Sequence, residues 1–443
     1  MTLDQATDTV TETVWWMAGN YAPITDELTV EHLPVEGRIP AELRGSYLRN
    51  GFNPPGAAPF HWFFGAGMVH GFELADGQVS YRNRYVRTPY FEQDMDLMSA
   101  VSDLRASPAN TNIIRHAGRL LALEEAHLPW EIDPALATVG SVDFDGRLTT
   151  PMTAHPKICP VTGELLFFGY QFMKEPYLTY HRVDPQGQLV QTEVIDIPRP
   201  VMMHDFTITE HYAIFFDLPI VFSRDRGFAF DRDAGGRIGV MPRHGANADV
   251  TWYDVEPCTV FHALNSYERG HEIVIQVCRA GSIMAGGMGD LGDASTLWQW
   301  TIDTASGTVT EEQLDDRTGD FPRIDDRRVG LPARFGYVAG LVPGTSPTFT
   351  SEVFRYDLEA GTTQVHSFGG EGTHVFEPVF APAGPDAAED EGWIMVLSHD
   401  DTTAVTTFNL LDAQDFTAPP VARIALPQRI PFGAHGNWLP STD

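Results

Sequence analysis

The chain has 443 residues, 43% of them hydrophobic and 20% charged, with 60 Asp and Glu against 29 Lys and Arg for a formal charge of -31. This is globular composition with enough apolar surface for a large core, which excludes a disordered chain. The charge opposes phosphate backbones and anionic headgroups, so no nucleic-acid partner is expected and solubility is the ordinary role of the charge.

The N-terminus, Met1-Thr-Leu-Asp-Gln-Ala-Thr-Asp8, has no basic stretch leading into an apolar one, which argues against a secretory signal. No uncharged apolar run reaches the length of a membrane span. Cys159, Cys258 and Cys278 form no CxxC pair and are odd in number, so neither a disulfide framework nor a cysteine zinc site is expected. The expected compartment is the reducing cytoplasm. Residues Asp8 to Ala18 predict a short amphipathic helix, with Asp8 as N-cap and Val10, Val14, Trp15 and Ala18 near helical spacing, serving as a terminal brace.

Beyond it the chain becomes short apolar runs separated by Gly, Pro and Asp. Turn signals recur at Ala75-Asp-Gly77, Asp143-Phe-Asp-Gly146, Asp184-Pro-Gln-Gly187, Thr304-Ala-Ser-Gly307 and Leu358-Glu-Ala-Gly361. Leu165 to Tyr170, Tyr212 to Phe216, Glu272 to Val277 and Trp393 to Leu397 are aromatic, β-branched and too short for typical helices, so they predict strands. An all-β meander of this length must manage its sheet edges. Four-stranded blades closed around an axis are the first expectation and a large sandwich or double barrel the second, although no WD or kelch repeat is visible. Ala381 to Gly392, rich in Pro, Ala and acid, and Gly286-Gly-Met-Gly-Asp-Leu-Gly292, which lacks a Lys-Ser/Thr partner, read as surface loops.

Among sixteen histidines, four share a context beside apolar or small residues at the edge of a predicted strand: His155 in Thr153-Ala-His-Pro-Lys157, His204 in Met203-His-Asp-Phe206, His262 in Val260-Phe-His-Ala-Leu-Asn265 and His435 in Gly433-Ala-His-Gly436. Their wide spacing excludes a zinc finger or an HExxH helix and suits ligands delivered by different blades to a common axis. A lone histidine in such a place is ordinarily a satisfied core or loop residue. If the four converge they form an all-imidazole site, which suits iron, zinc, copper and nickel alike.

Arg49-Asn-Gly51, His61-Trp-Phe-Phe-Gly-Ala-Gly-Met-Val-His70, Asn110-Thr-Asn112, Leu120-Leu-Ala-Leu-Glu-Glu125, Ala154-His-Pro-Lys157, Met203-His-Asp-Phe206, Phe321-Pro-Arg-Ile-Asp325 and Phe376-Glu-Pro378 together resemble the carotenoid cleavage oxygenase family, in the family's order from about residue 25 onward. The resemblance implies a seven-bladed β-propeller over residues 25–443, preceded by a tail and brace over 1–24, with loops capping an axial non-haem ferrous iron. It implies His155, His204, His262 and His435 as the iron ligands and Glu125, Asp320 and Glu377 as the acids that hold three of their outer nitrogens. Asp320 stands where glutamate is usual, and its shorter side chain is expected to move its histidine or recruit a water. Thr111 matches a threonine whose methyl lies near a coordination position. Taken singly, Glu125 and Glu377 would be solvated acids and Thr111 a β-prone residue.

The activity implied is cleavage of an electron-rich C=C bond by dioxygen into two carbonyl products, with no external reductant, since no dinucleotide or flavin motif is present. Stilbene- and phenylpropenoid-cleaving relatives carry Lys before the Glu at position 125 and a tyrosine upstream. Here Glu124 precedes Glu125, and Met98-Ser-Ala-Val-Ser-Asp-Leu104 has no tyrosine. The expected substrate is therefore a carotenoid or apocarotenoid, with a phenolic alkene as the alternative. Ala66, between Gly65 and Gly67, departs from a family aspartate. An oxygen-independent isomerase and a non-catalytic binding propeller are the competing readings. Peripheral membrane contact is compatible with a bilayer-borne substrate, and Trp15, Trp16 and the Tyr90-Phe91 pair are as readily ordinary packing residues.

Overall fold

The structure is a computed structural model that describes residues 14–441 apart from 289, 291, 343 and 345–347, and at 97 and 98 the backbone alone. The strands form where aromatic and β-branched residues alternate or run together between turn residues. Leu165–Tyr170 is buried at all six positions because it lies between neighbouring sheets, whereas Leu189–Ile195, at its sheet's edge, alternates between covered and open positions. Ala75-Asp-Gly77 makes the tight link between Met68–Ala75 and Gln78–Tyr85, with Asp76 at φ 52 and Gly77 at φ 74, the backbone a two-residue hairpin turn needs.

These strands build a seven-bladed β-propeller. Blade 1 joins Gly45–Arg49, Met68–Ala75 and Gln78–Tyr85 to the C-terminal strand Gly436–Pro440. Blade 2 begins with Asn112–His116, blade 3 with Lys157–Ile158, and blade 4 with Phe206–Ile208; blade 4 also carries an inserted hairpin, Ile220–Ser223 and Gly227–Phe230. Thr259–Arg269, Glu272–Ala280 and Thr296–Asp303 form most of blade 5. The long strand Thr308–Arg323 completes it and then turns inward to open blade 6 with Phe335–Val342. Blade 7 is built on Gly392–Asp400 and Val405–Asp412, with Glu36–Gly37 from the N-terminal region added to its outer strand Ala422–Ala425. Both ends of the chain thus close the ring through backbone pairing.

Aromatic side chains fill the wedges between blades. Phe72 of blade 1 stacks on Phe408 of blade 7 at 4.5 Å between centroids, and Tyr47 adds a second contact to Phe408 at 5.1 Å. All three cysteines are buried and free. Among the described residues no helix is long and apolar enough to cross a membrane.

The expected brace helix is corrected in its described part. Residues 8–13 lie outside the described residues, and Trp15–Met17 and Gly19–Tyr21 are single 3-10 turns. Val14 at ψ 145 and Ala18 at ψ 159 are extended and confine the helical path between them to one turn, and the aromatic residues pack in several directions rather than along one stripe. Trp15 meets Trp16, Tyr21 and Trp62 with centroids 5.3, 4.9 and 5.8 Å away. The Ala381 to Gly392 loop is also shorter than expected. Ala381 and Pro382 end the strand Val379–Pro382, Gly392 starts the next, and Glu389 between them accepts the backbone N–H groups of Arg334 and Phe335.

Candidate metal centre

The four histidines come from four blades. His155 precedes the first strand of blade 3, His204 that of blade 4 and His435 the closing strand of blade 1, while His262 sits within Thr259–Arg269 of blade 5. Their ligand atoms all lie within 4.8 Å of one another, and the Nε2 atoms of His155 and His204 approach to 2.9 Å. All are buried or nearly so.

What turns the rings is the same local device three times over. Between Val260 and Ala263 the strand of His262 runs one residue ahead of its partner, a β-bulge that re-aims a side chain out of the pleat. The same excess occurs between Asp320 and Arg323, where Phe321 takes φ 56, and between Val375 and Val379, where Pro378 cannot donate to the ladder. The two latter bulges present Asp320 and Glu377 to the histidines.

Asp320 Oδ1 accepts from His262 Nδ1 at 2.8 Å and Glu377 Oε1 from His435 Nδ1 at 2.8 Å. Glu125, just past Arg119–Leu123 of blade 2, accepts from His204 Nδ1 at 2.7 Å. Each carboxylate fixes the Nδ1–H tautomer and leaves Nε2 as a lone pair facing the axis. His155 has no carboxylate partner among the described residues. Its place is held by its backbone, whose N–H reaches Thr153 Oγ1 at 3.1 Å. His262 Nε2 is buried without a hydrogen-bond partner among the described residues. Four inward lone pairs, one of them an orphaned buried acceptor, are a donor set that fits a divalent cation with imidazole affinity.

Asp320 meets His262 directly, so the expected bridging water is not needed here. The bulge carries the short side chain into direct contact, and Ser295 Oγ at 2.8 Å and the Phe321 N–H at 2.7 Å steady it.

The electrostatics favour neutral imidazoles at His155 and His435. Burial, reinforced by the other three histidines, holds His155 well below the usual imidazole range. Burial also lowers His435 to about 4 despite Glu377. For His204, burial is outweighed by Glu125 and its pKa is raised. Burial works to raise Glu377, but His435, Arg323 and the Gly436 N–H overcome it and hold the carboxylate at about 2.

A cavity of about 520 Å³ opens on one side of the centre, reaching His204, His262 and His435. Its walls are mainly aromatic and aliphatic, including Phe52, Trp62, Phe63, Phe172, Phe222 and Phe261. Thr111 lines it, with its hydroxyl donating to Asn110 Oδ1 at 2.8 Å. Met288 and Gly292 of the glycine-rich segment border it, so those residues face the cavity rather than lying over an indifferent surface. Ala66 is buried in a small cluster with Tyr90, Ala100 and Ala106, where a carboxylate would meet apolar neighbours. A second, more polar cavity of about 790 Å³ reaches His155, His262 and His435 from the other side and is lined by Lys157, Asp205 and Arg323.

Several residues at the site are not singled out by the sequence. Asp205, next to His204, accepts Lys157 Nζ at 2.7 Å and the Ala263 N–H at 2.9 Å, tying blades 3, 4 and 5 together under the histidines. Tyr170 donates to Glu125 Oε1 at 3.0 Å. His127 Nδ1 pairs with Glu124 Oε2 at 2.6 Å on the cavity wall. The Asp directly after His204 and the His three residues past Glu124 were the only signals available.

A family model described as retinal pigment epithelial membrane protein matches residues 21–440. The carotenoid cleavage oxygenase of Mycobacterium tuberculosis is 36% identical, over 96% of this chain and 98% of its own length. A carotenoid 9,10(9',10')-cleavage dioxygenase of Pisum sativum is 34% identical over 96% of this chain and 90% of its own. The crystal structure of the Pseudomonas brassicacearum lignostilbene dioxygenase superposes with a TM-score of 0.88 at 29% identity, covering 96% of this chain and 98% of that one.

Proposed function

The chain belongs to the carotenoid cleavage oxygenase family, and from that premise we propose that it is a non-haem Fe(II) dioxygenase that cleaves a C=C bond of a carotenoid or apocarotenoid with O2 to give two carbonyl products. The observation that carries this reading is the four-histidine cluster, three of whose members, His204, His262 and His435, line an aromatic cavity. His155, His204, His262 and His435 are the residues that would hold Fe2+, one ion per chain, through Nε2. Bound there, iron supplies the activation of dioxygen for addition to an electron-rich alkene.

The chain's own residues do the rest. Glu125, Asp320 and Glu377 keep three imidazoles in the metal-binding tautomer. The aromatic walls exclude water and hold an extended alkene by its apolar surface, with polar groups left to fix its register. Thr111, in the cavity wall with its hydroxyl tied to Asn110, would restrict how closely a small molecule can approach the histidines. No side chain is needed as nucleophile or general base. The propeller over residues 25–443, braced by 1–24, acts in the cytoplasm, with O2 and the alkene as its partners and peripheral membrane contact as a means of drawing substrate from a bilayer.

The alternative substrate is a stilbene or phenylpropenoid alkene. The Glu124–His127 pair in the cavity wall and the similarity to a lignostilbene dioxygenase favour keeping it.

Oxygen uptake tests the reading. Iron-loaded protein is expected to consume one O2 per alkene cleaved. Substituting His204 by Ala should abolish both iron retention and uptake, and full activity in that variant would overturn the assignment. Conversion of the alkene without uptake would identify an isomerase instead.

A further inference from the structure

The histidine cluster is open on two sides, and the two sides differ in chemistry. The aromatic cavity reaches His204, His262 and His435 but not His155, whereas the polar cavity of about 790 Å³ reaches His155, His262 and His435 but not His204. His262, whose Nε2 is buried without a hydrogen-bond partner among the described residues, is touched by both. His155 is reached from the polar side alone.

The polar cavity grades from solvent to the cluster. Glu42 and Pro385 in its wall are exposed, Gly384 is half-buried, and His155, His262 and His435 are buried. Cations line it too, yet each has an anion of its own. Lys157 Nζ meets Asp205 Oδ1 at 2.7 Å, Arg327 Nη2 meets Asp325 Oδ2 at 2.6 Å, Arg323 meets Asp326 and Glu377 at 3.3 and 3.4 Å, and Arg44 pairs with Asp76. Among the described residues of this wall, Glu42 is the carboxylate that stands outside these pairs. A metal ion approaching here meets no unpaired cation among them, and it meets an exposed carboxylate at the outer end. The formal charge of -31 draws cations toward the protein as a whole.

The aromatic side is the opposite. A divalent ion passing Phe52, Trp62, Phe63 and Phe261 would shed its water with nothing there to replace it, and stripping a charged group of water is costly. In the polar cavity the ion keeps its water, since a shell of about six molecules at about 30 Å³ each takes about 180 Å³.

We propose that the polar cavity is the route by which a divalent metal ion reaches the four histidines, with Glu42 drawing the hydrated ion to the outer end and His155 receiving it ahead of His204. Metal and alkene then enter from opposite sides, so metal exchange does not require an empty alkene cavity. The inference rests on the reading of the four histidines as a metal site.

Two glycines allow each side to be plugged. A Cβ built on Gly384, in the polar wall, meets no atom within 4 Å, and the bond its carbonyl accepts from Arg327 Nη1 at 3.0 Å is open to any residue. A Cβ on Gly344, in the aromatic wall, also meets no atom within 4 Å. Uptake of Co2+ by chelator-stripped protein, shown by its melting curve to be folded and followed by visible absorption at low ionic strength, reads the route without turnover. Gly384→Trp is expected to slow uptake at least about fivefold, because the indole must swing aside before the ion passes, and to leave the final Co2+ content unchanged. Gly344→Trp should leave the rate as it is. Glu42→Lys should slow uptake about threefold and lose that effect at high salt, and this variant decides the question if Gly384→Trp does not fold. Rates equal to the wild type in both Gly384→Trp and Glu42→Lys, or slowing by Gly344→Trp instead, would overturn the proposed route and leave the metal centre standing. Wild-type protein that takes up no Co2+ would overturn both.

Discussion

Asp320 stands where the family usually places glutamate, yet it reaches His262 directly at 2.8 Å because the backbone at Phe321 brings it closer. A longer side chain at this position has no room to extend toward the ring. Asp320→Glu is therefore expected to turn His262 and weaken metal binding by about 10–100-fold, the range for loss of an outer partner of a metal-binding histidine; Asp320→Asn, which keeps the length, should fall less. Metal titration of the two variants checks the order, and glutamate binding metal as well as the wild type would contradict it. Other histidines act through what burial does to them. His70, His61 and His181 are pushed from the ordinary 6.5 to about 3, about 4 and about 3, chiefly by burial. The unfolded chain takes up protons that these folded imidazoles refuse, so stability is complete above about pH 6.5 and falls as the pH drops below it toward the folded values. Each group contributes about 1.4 kcal/mol per pH unit across that window. Melting curves should show loss beginning near pH 6.5, ahead of carboxylate titration, and a melting temperature unchanged down to pH 5 would contradict it. At this scale the four histidines that cluster were legible in the sequence, because each lies beside small or apolar residues next to a strand. His127 was not, since a histidine three residues from a carboxylate has many uses and only the fold shows that this one faces a cavity.

The elements carry the geometry through irregularities. The four strands predicted from aromatic and β-branched runs all form: Leu165–Tyr170 with the same limits, and Tyr212–Asp217, Glu272–Ala280 and Gly392–Asp400 with longer ones. Pairing extends them past the point where their composition is distinctive. The bulges at His262, Phe321 and Glu377 leave little trace in sequence, because register is a property of two strands and only Pro378 hints at an interruption. The helix expected in the brace was misread for a related reason, since the spacing of Trp15 and its neighbours looks helical but the side chains answer to Trp62 and Tyr21. The closing strand Gly436–Pro440 offers a test. A Cβ on Gly436 would lie 2.7 Å from the Tyr47 hydroxyl oxygen and 2.9 Å from its ring, in a wedge filled by Phe72 and Phe408. Gly436→Ala should destabilise the protein by about 1–3 kcal/mol, as overpacking of a filled core does. Because His435 is the preceding residue and the Gly436 N–H bonds Glu377 at 2.7 Å, metal affinity should fall with it. Unchanged melting and metal content in this variant would show that the wedge can relax without moving the ligand.

The whole molecule gives the histidines what no single blade can. Histidines separated by long stretches of chain meet only because the ring closes, through Gly45–Arg49 on Gly436–Pro440 and Glu36–Gly37 on Ala422–Ala425. An all-β meander and its turns could be read from composition and pattern, and the histidine spacing suited delivery to a common axis, whereas the number of blades came from the family resemblance, because no repeat signature marks the blades. Sharing of the strand Thr308–Arg323 between blades 5 and 6 was not legible, since nothing in Thr308–Arg323 announces where one sheet ends and the next begins. The closed ring places an aromatic cavity beside the histidine cluster, and the central claim is that this arrangement cuts an alkene with dioxygen. The most direct measurement is mass spectrometry of the products formed when iron-loaded protein meets an apocarotenal under isotopically labelled O2. The account predicts two shortened carbonyl products with label in both. Intact substrate, or an isomer of unchanged mass, would contradict it.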